Sequence, residues 1–362
     1  MWDTEPLPPQ PTRATRELLA PDTTSPAHAA AESALAERLG WNLGVLRGEL
    51  ATNSFGTAGG YRLLAPHRIL SGHEPQFEVL RVTNFGRFGN AVRRLRNVFA
   101  VARRYRVPRI EFARRHELFG GDRVAEFSLG WTFPWERPAE QQTPGIIGDF
   151  YVLHAFGFDT DPGEEAEVTS SCVRPLLPAR LRTPRHDVGE DDLILHFRGG
   201  DIFGPSHSIH PGYGQPPASY YLSAVAREKP NRVWLVYEDR RNPAIDAVES
   251  MLRLHGITVF TQSTTLEGDI HVLLSARRIV AGIGTFVPAI AALSERLRQL
   301  TLFEPPVKAL RRLGVEQISG RDRKGAYQAA MLSNNWRNTP EQRALMLAYP
   351  PTALEFTVHA PA

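Results

Sequence analysis

Cysteine is nearly absent from the sequence, because Cys172 is the single thiol among 362 residues. No disulfide can form within the chain, and a zinc framework built on cysteine pairs is excluded. A lone cysteine is most often a small buried apolar side chain and suits a reducing compartment, so we expect a cytoplasmic protein. The first thirty residues also lack a basic region followed by an apolar one, and we expect no secretory signal.

Long apolar runs are lacking as well. The longest largely apolar stretch without a charge, Ile279 to Ser294, has 16 residues and is interrupted by Gly282, Gly284 and Pro288. A membrane-spanning helix needs about 20 such residues, so none is expected. With 42% hydrophobic and 22% charged residues, the composition is that of a globular protein. It excludes the collagen-like, coiled-coil and largely disordered classes.

Acidic residues are scarce in one part of the chain. The net charge is only +3, yet the segment from Arg81 to Arg115 has eleven arginines and one acid, Glu111. Such a segment favours phosphate as a partner, on a nucleic acid, an anionic membrane or a nucleotide, whereas a solvated helix face is the simpler explanation. Composition does not choose among these alternatives.

The length of the chain predicts two domains, at about 150 residues for each. We expect a proline-rich leader and peripheral segment with a short helix near residues 29–39, an N-terminal domain, a C-terminal domain, and final helices that pack across both domains. In chain order these segments are residues 1–75, 76–188, 189–310 and 311–362.

In the N-terminal domain the pattern predicts a strand at residues 77–82, a helix at 90–106 and a strand at 109–112. The helix has apolar residues at the 3-and-4 spacing of one helical face, namely Ala91, Leu95, Val98, Ala102 and Tyr105. The arginines expected to project elsewhere are Arg93, Arg94, Arg103 and Arg104.

In the C-terminal domain, short apolar strands alternate with helices. The predicted strands are residues 193–197, 233–237, 257–260, 279–282 and 300–303. The predicted helices are residues 218–227, 243–254, 267–276 and 288–298, followed by 324–332 and 339–347 in the final segment. This alternation is typical of a parallel sheet with helices on both faces. We therefore predict an α/β protein with Rossmann-like domains.

Three loops carry residues suited to binding a ligand at the carboxyl ends of such strands. His196 to Asp201 follows an apolar strand and includes Arg198 and two glycines, although a buried ion pair between Arg198 and Asp201 would also explain it. Glu238 and Asp239 end the next strand and suit the donor groups of a ribose or a guanine, although acidic turns are common. Gly282 to Phe286 precedes a helix and could cradle a diphosphate. In the first domain, Gly86 to Asn90 is a similar turn.

Taken in order, these residues resemble the α1,2-fucosyltransferase family and its relatives among the α1,6- and protein O-fucosyltransferases. The glycine loop G-x-L-G-N-Q of that family is matched by Gly86 to Ala91, and its H-x-R-R-G-D motif by His196 to Asp201. Its E-Y-Y, S-D-D, D-L-x-L-M-S and N-S-T-F-S-W-W segments correspond to Ser219-Tyr220-Tyr221, Glu238-Asp239, the residues from Asp269, and Thr285-Phe286. The sequence differs from the family at Ala91, Gly199, Val287 and Pro288, and these differences leave the sugar and the acceptor open.

The resemblance implies a GT-B fold, in which two Rossmann-like domains face a cleft and the C-terminal one binds a GDP-sugar. It implies an inverting transferase that needs no metal or other cofactor and uses GDP-fucose. Arg198 would contact the β-phosphate, His196 the nucleotide, Glu238 or Asp239 the guanosine, and Thr285 the diphosphate. The other residues that it places in the donor site are Asp201, Gly284, Phe286, Gly86, Gly89 and Asn90.

Inversion requires an acceptor hydroxyl to attack from the opposite face of the sugar, usually with help from a general base. The loop after Asp201 has no carboxylate but contains His207 and His210. We expect His210 to contact the acceptor, which would be a glycan or another hydroxyl compound, while a surface histidine is the simpler alternative.

Two other functions remain open from the sequence. Asp159-Thr160-Asp161 has the D-x-D pattern by which GT-A transferases bind a divalent metal, although Pro162 and Gly163 then indicate a turn. The arginine-rich segment favours a nucleotide- or nucleic-acid-binding protein without turnover. It has few interleaved aromatic residues, which disfavours single-stranded nucleic acid. Peripheral contact with an anionic membrane is a further hypothesis.

Overall fold

The computed structural model describes residues 37, 62–63, 78–132, 145–148, 150–153, 156, 159–204, 209–303 and 305–362. Almost all of the predicted leader lies outside these residues, including its helix near residues 29–39 except for Glu37, and so does His207. The described residues form two compact units, which divide after Pro178. No described helix is both long and apolar enough to cross a membrane.

Among the described residues of the first unit, one mixed sheet has the strand order β1-β6-β2-β3-β5-β4. Its strands are β1 (Arg62–Leu63), β2 (Val79–Val82), β3 (Arg109–Phe112), β4 (Arg123–Val124), β5 (Phe127–Gly130) and β6 (Gly145–Gly148). The central strands β6, β2, β3 and β5 are parallel, while β1 and β4 pair antiparallel at the two edges. Strands β4 and β5 were not predicted, since they are short and contain Arg123 and Gly130, with the charged Glu126 in the turn between them.

Helix α1 (Phe88–Arg104) follows β2 and packs its apolar face on this sheet. Ala91, Leu95, Val98 and Ala102 are fully buried, as their spacing predicted. The prediction for Arg94 was wrong: its side chain is buried, and Nη1 donates to the carbonyl oxygen of Phe85 at 3.1 Å. An arginine can lie on the inner face because the open carbonyl of the preceding turn accepts its hydrogen bond.

Helix α2 (Pro162–Val168) supplies carboxylates to α1. Arg96 Nη1 lies 2.9 Å from Glu165 Oε2, and Arg103 Nη1 lies 2.8 Å from Glu167 Oε1. Part of the arginine-rich segment is therefore neutralised within its own unit.

The second unit contains, among its described residues, a sheet in the order β13-β12-β11-β10-β7-β8-β9. Its strands are β7 (Leu193–Phe197), β8 (Arg232–Tyr237), β9 (Thr258–Gln262), β10 (Arg278–Ala281), β11 (Gln299–Leu302), β12 (Glu316–Asp322) and β13 (Leu354–His359). All neighbours are parallel except β13, which pairs antiparallel with β12.

The helices of this unit are α3 (Ala179–Arg182), α4 (Ala218–Glu228), α5 (Ala244–Leu254), α6 (Leu266–Ser275), α7 (Phe286–Leu293), α8 (Lys308–Arg312), α9 (Ala326–Met331) and α10 (Pro340–Ala348). Helix α10 begins with the predicted cap, because Thr339 Oγ1 accepts from the backbone N–H of Gln342. Helix α7 ends at Leu293, earlier than predicted, since Ser294 Oγ accepts from the N–H groups of Arg296 and Leu297 and turns the chain.

The prediction of an α/β protein with two parallel-sheet, Rossmann-like units is confirmed by these sheets. The final segment contributes strands β12 and β13 as well as the predicted helices. The cleft, the domain limits and the packing of the final helices across the domains stay predictions.

Candidate functional site

The strand order of the second sheet reverses between β7 and β10. From β7 the chain moves outward through β8 to β9, then returns to the other side of β7 with β10 and continues through β11 to β12. Such a reversal opens a crevice at the carboxyl ends of the two central strands, where α/β proteins bind ligands. Arg198 follows β7, Gly284 follows β10, and Glu238 follows the adjacent β8. The fold therefore brings the three predicted loops to one edge of the sheet.

The Arg198 guanidinium is held among three groups at this edge. Its Cζ lies 4.0 Å from the centre of the Tyr213 ring, and its Nη2 lies 3.8 Å from Asp201 Oδ1. Gly284 is so near that a Cβ there would lie 2.8 Å from Nη1. A simple buried ion pair is disfavoured, because 3.8 Å is too long for a hydrogen bond and the Asp201 side chain is 47% exposed.

Two turns at the site need glycine for conformation as well as for space. Gly200 has φ of 62°, and a Cβ there would lie 2.2 Å from Glu238 Oε2. Gly284 has φ of 146°, a region that side chains rarely adopt. The backbone of both loops therefore lies directly against charged side chains from the neighbouring segment.

Gly199, where the resembled family has a second arginine, lies against Asp239. A Cβ at Gly199 would lie 2.9 Å from Asp239 Oδ1. Asp239 Oδ2 also accepts from the N–H of Gly200 at 3.1 Å and from Arg241 Nε at 2.8 Å. Burial raises the pKa of Asp239, but the hydrogen bonds from Arg241 and Gly200 outweigh burial and leave that pKa below its ordinary value. Asp239 thus anchors the loop, while Glu238 lies beside Gly200.

His196 is neutral in this environment. Burial, followed by the nearby positive charge of Arg198, lowers its pKa to about 3. Its ring centre lies 5.3 Å from that of Phe286, and its buried Nδ1 has no hydrogen-bond partner among the described residues. A neutral imidazole of this kind offers one donor and one acceptor to a bound molecule.

The two tyrosines of the resembled E-Y-Y segment donate hydrogen bonds to the backbone of two neighbouring strands. Tyr220 donates to the carbonyl oxygen of Ala281 at 3.1 Å, and Tyr221 donates to that of His196 at 3.3 Å. Burial raises the pKa of the Tyr221 hydroxyl, so this group acts as a neutral donor. These hydrogen bonds fix the carboxyl ends of β10 and β7, from which the loops with Gly284 and Arg198 begin.

Gln215 is a residue that the sequence did not single out. Its buried side chain accepts from the N–H of Ile283 at 3.2 Å and donates to the carbonyl oxygens of Ile283 and Tyr213, both at 3.1 Å. The loop after β10 is therefore tied to the turn that carries Tyr213. No local pattern marks Gln215, because its partners are distant in the chain.

Asp269 also received no role from the sequence, although it lies in a motif. It is 5% exposed in the first turn of α6, and Gln262 Nε2 donates to its Oδ1 at 3.2 Å. Burial raises its pKa to about 8, with a smaller increase from the negative charge of Glu238. A buried carboxyl therefore accompanies Glu238 on this side of the sheet.

His210 is exposed and caps a short 3-10 helix, Pro211–Tyr213. Its Nδ1 accepts from the N–H of Gly212 at 3.2 Å, which in the neutral ring places the proton on Nε2. Its ring centre lies 4.8 Å from that of Tyr213. The Tyr213 ring therefore contacts both His210 and Arg198.

The predicted residues of the first unit form a second glycine turn. Gly86 has φ of 65°, and a Cβ there would lie 2.8 Å from Arg94 Nη1. Gly89 and Asn90 lie in the first turn of α1, and the Tyr151 hydroxyl lies 3.5 Å from Asn90 Oδ1.

The D-x-D pattern caps a helix. Asp161 Oδ1 accepts from the N–H groups of Gly163 and Glu164 at the start of α2, at 2.6 and 3.0 Å. Throughout the described ranges, no group of three or more histidine, cysteine, aspartate or glutamate side chains is arranged to hold a metal ion.

No family model matches the chain, and no curated protein is similar to it in sequence. Among solved structures, POFUT1 in complex with GDP-fucose covers 65% of this chain and 99% of its own, at 11% identity and a TM-score of 0.41. A mutant of Arabidopsis thaliana FUT1 in complex with GDP covers 78% and 79%, at 12% identity and a TM-score of 0.43. The E. coli heptosyltransferase WaaC with ADP covers 66% and 90%, at 12% identity and a TM-score of 0.32.

Proposed function

We propose that this protein is an inverting, metal-independent glycosyltransferase that moves a sugar, for which we propose fucose, from a GDP-sugar to a hydroxyl of a glycan or other acceptor. The observation that carries the proposal is the position of Arg198. Its guanidinium lies at the strand reversal, against Tyr213 and the Gly284 turn. Crevices of this type receive nucleotides and their phosphates in α/β proteins.

Arg198 supplies the chemistry that the departure of a sugar requires. As the glycosidic bond breaks, negative charge builds up on the leaving diphosphate, and a guanidinium can donate two parallel hydrogen bonds to its oxygens. A donor that is fixed before the reaction stabilises this charge without reorganisation. The N–H groups at Thr285 and Phe286, where α7 begins, would add to the same effect.

The acidic groups would recognise the base. Guanine presents N–H donors at its Watson–Crick edge, which an ionised carboxylate accepts. Glu238 lies next to Gly200, and Asp269 has a raised pKa that an approaching donor would lower. We assign base recognition to this pair, with Asp239 anchoring the Gly199–Gly200 turn that lies beside Glu238.

His196 would bind the nucleotide as a neutral ring, and His210 would contact the acceptor. Because Nδ1 of His210 accepts from Gly212, the neutral ring offers Nε2–H as a donor. It can serve as a base only when that backbone hydrogen bond opens.

Thermal melting with a panel of nucleotides tests the donor. In a chelator and without divalent ions, GDP is expected to raise the melting temperature, and UDP and ADP to raise it less. Arg198→Ala should abolish most of the GDP effect, while Arg253→Ala, which removes an exposed arginine of α5, should retain it. Equal stabilisation by all three nucleotides, or dependence on a metal, would contradict the proposal.

A nucleotide-binding protein without turnover is the second candidate, and release of sugar from GDP-fucose distinguishes it. Nucleic acid is a poorer partner, since Arg96 and Arg103 pair with glutamates of α2. We keep the cytoplasm as the proposed compartment, on the single cysteine, and peripheral contact with an anionic membrane as a hypothesis to test with vesicles.

A further inference from the structure

Tyr213 makes a close contact with Arg198 that neither the motifs nor the proposed chemistry assign. The guanidinium Cζ lies 4.0 Å from the ring centre, well within the distance at which a cation is attracted to an aromatic face. A guanidinium stacked in this way keeps its plane and leaves its N–H edges available for hydrogen bonds.

The backbone of Tyr213 is fixed from several sides. Gln215 Nε2 donates to its carbonyl oxygen at 3.1 Å, and the N–H of Trp336 donates to the carbonyl oxygen of Pro211 at 3.1 Å. Gly214 packs so tightly on α9 that a Cβ there would lie 1.9 Å from the carbonyl oxygen of Met331. The ring therefore stands on a rigid turn, although it belongs to a loop.

The same glutamine aligns the ring with the glycine turn. Gln215 bonds to both the N–H and the carbonyl oxygen of Ile283, the residue before Gly284. Because one buried amide holds both segments, the ring of Tyr213 and the backbone of Gly284 are held against the same guanidinium. Tyr327 supports this arrangement by donating to the carbonyl oxygen of Gln215 at 2.7 Å.

We propose that Tyr213 is a positioning residue that holds the Arg198 guanidinium toward the diphosphate of the donor. Asp201 is the competing partner, since its Oδ1 is 3.8 Å from Nη2, a gap that a small rotation of the arginine would close. Without the ring, the Arg198 guanidinium would rotate to form an ion pair with Asp201 and would no longer be available to the diphosphate. The inference rests on the proposed function, because it assigns the arginine to a nucleoside diphosphate.

The test compares GDP with guanosine as ligands of the Tyr213→Leu and Tyr213→Phe variants by calorimetry. Loss of this half-buried cation–π contact should weaken GDP binding about tenfold in the leucine variant and leave guanosine binding unchanged. The phenylalanine variant keeps the ring and should bind GDP as the wild type does. In an Arg198→Ala background, the leucine substitution should have no further effect on GDP binding.

Each result has one interpretation. Equal loss of GDP and guanosine, or a loss that persists in the Arg198→Ala background, would show a merely structural role and overturn the inference. If the wild type binds GDP and the leucine variant binds it equally well, only the inference fails. If the wild type binds neither GDP nor GDP-fucose, the proposed function fails and the inference with it. Should the leucine variant melt far below the wild type, Tyr213→Met takes its place in the same comparison.

Discussion

Two glycine turns among the described residues, one in each unit, pack against an arginine, but the two arginines come from different places relative to the turn. At Gly86 and at Gly284, a Cβ would lie 2.8 Å from an arginine Nη1, and each arginine stacks on a tyrosine. Arg94, in the first turn, belongs to the helix that the turn begins, and it donates to the carbonyl oxygen of Phe85. Arg198, in the second, follows β7, whereas the turn at Gly284 follows β10.

This difference is why we assign a structural role to Arg94 and propose a functional one for Arg198. Arg94 is 8% exposed and closes its own turn, so its loss should affect folding first. Arg198 spans two loops at the strand reversal, where a ligand has access to both. A glycine turn with an arginine over it is therefore not by itself a phosphate site. The turn is a candidate only when the arginine comes from another loop and not from the helix that the turn begins.

Arg198→Ala should produce the largest effect. Removing one fixed donor to developing negative charge typically costs about 10²- to 10³-fold in turnover, so sugar transfer or release from GDP-fucose should fall by that factor. The melting temperature without ligand should stay close to that of the wild type. Unchanged turnover would remove the distinction between the two arginines.

The acidity of Asp269 should make GDP binding depend on pH. If the ionised carboxylate binds the base, affinity should rise by about tenfold per pH unit as pH increases toward 8, and then level off. Isothermal calorimetry in a series of buffers measures this slope. Asp269→Asn should flatten it, and a slope that survives in the asparagine variant would assign the titration to another group.

The same carboxyl predicts a change in stability with a fixed sign. Its pKa is raised on folding from the ordinary value of 3.8 to about 8, so its contribution to stability is present below the lower value and is lost as pH rises through the higher one. Asp269→Asn should therefore gain stability relative to the wild type as pH increases across this window. Denaturant unfolding without nucleotide at several pH values measures it.

Arg94→Ala should destabilise the first unit by about 2 kcal/mol, because the buried carbonyl of Phe85 loses a charged donor. Unfolding in denaturant measures this loss, with the exposed Arg104→Ala as a matched control on the same helix. A variant as stable as the wild type would show that Arg94 is not the structural counterpart of Arg198.

Arg96→Ala should have the smallest effect. The ion pair between Arg96 and Glu165 is partly exposed, and pairs of this kind contribute about 1 kcal/mol or less. Raising the salt concentration should shrink the difference further. A large loss of stability would mean that α1 and α2 depend on this pair.

Local pattern predicted the elements that carry strong signals. Residues 109–112 and 193–197 are strands as predicted. The first comes directly after Pro108, and the second is a short apolar run bounded by Asp192 and Arg198. Helix α10 begins at Pro340 because Thr339, a capping residue, precedes it. Strands β12 and β13 were missed, because polar and charged residues within them obscure the alternation that marks a strand.

The site divides in the same way. Arg198, His196 and Glu238 were singled out because each lies at the end of an apolar strand and the sheet brings such ends together. Gln215 and Tyr213 carry no local signal, since their partners, Ile283 and Arg198, lie far away in the sequence. Asp239 was grouped with Glu238, and its role as an anchor is visible only from its bonds to Arg241 and Gly200.

The sequence by itself determined the alternation of strands and helices, the parallel sheets and the loops that end their strands, because periodicity and turn residues act over a few positions. Only the tertiary structure decided that Arg94 bonds to the turn before its own helix, whereas Arg198 contacts two different loops. It also decided that Asp239 anchors a loop through its hydrogen bonds and that Asp269 is buried with a raised pKa. These outcomes depend on distances between segments far apart in the chain, and on how much water their contacts exclude.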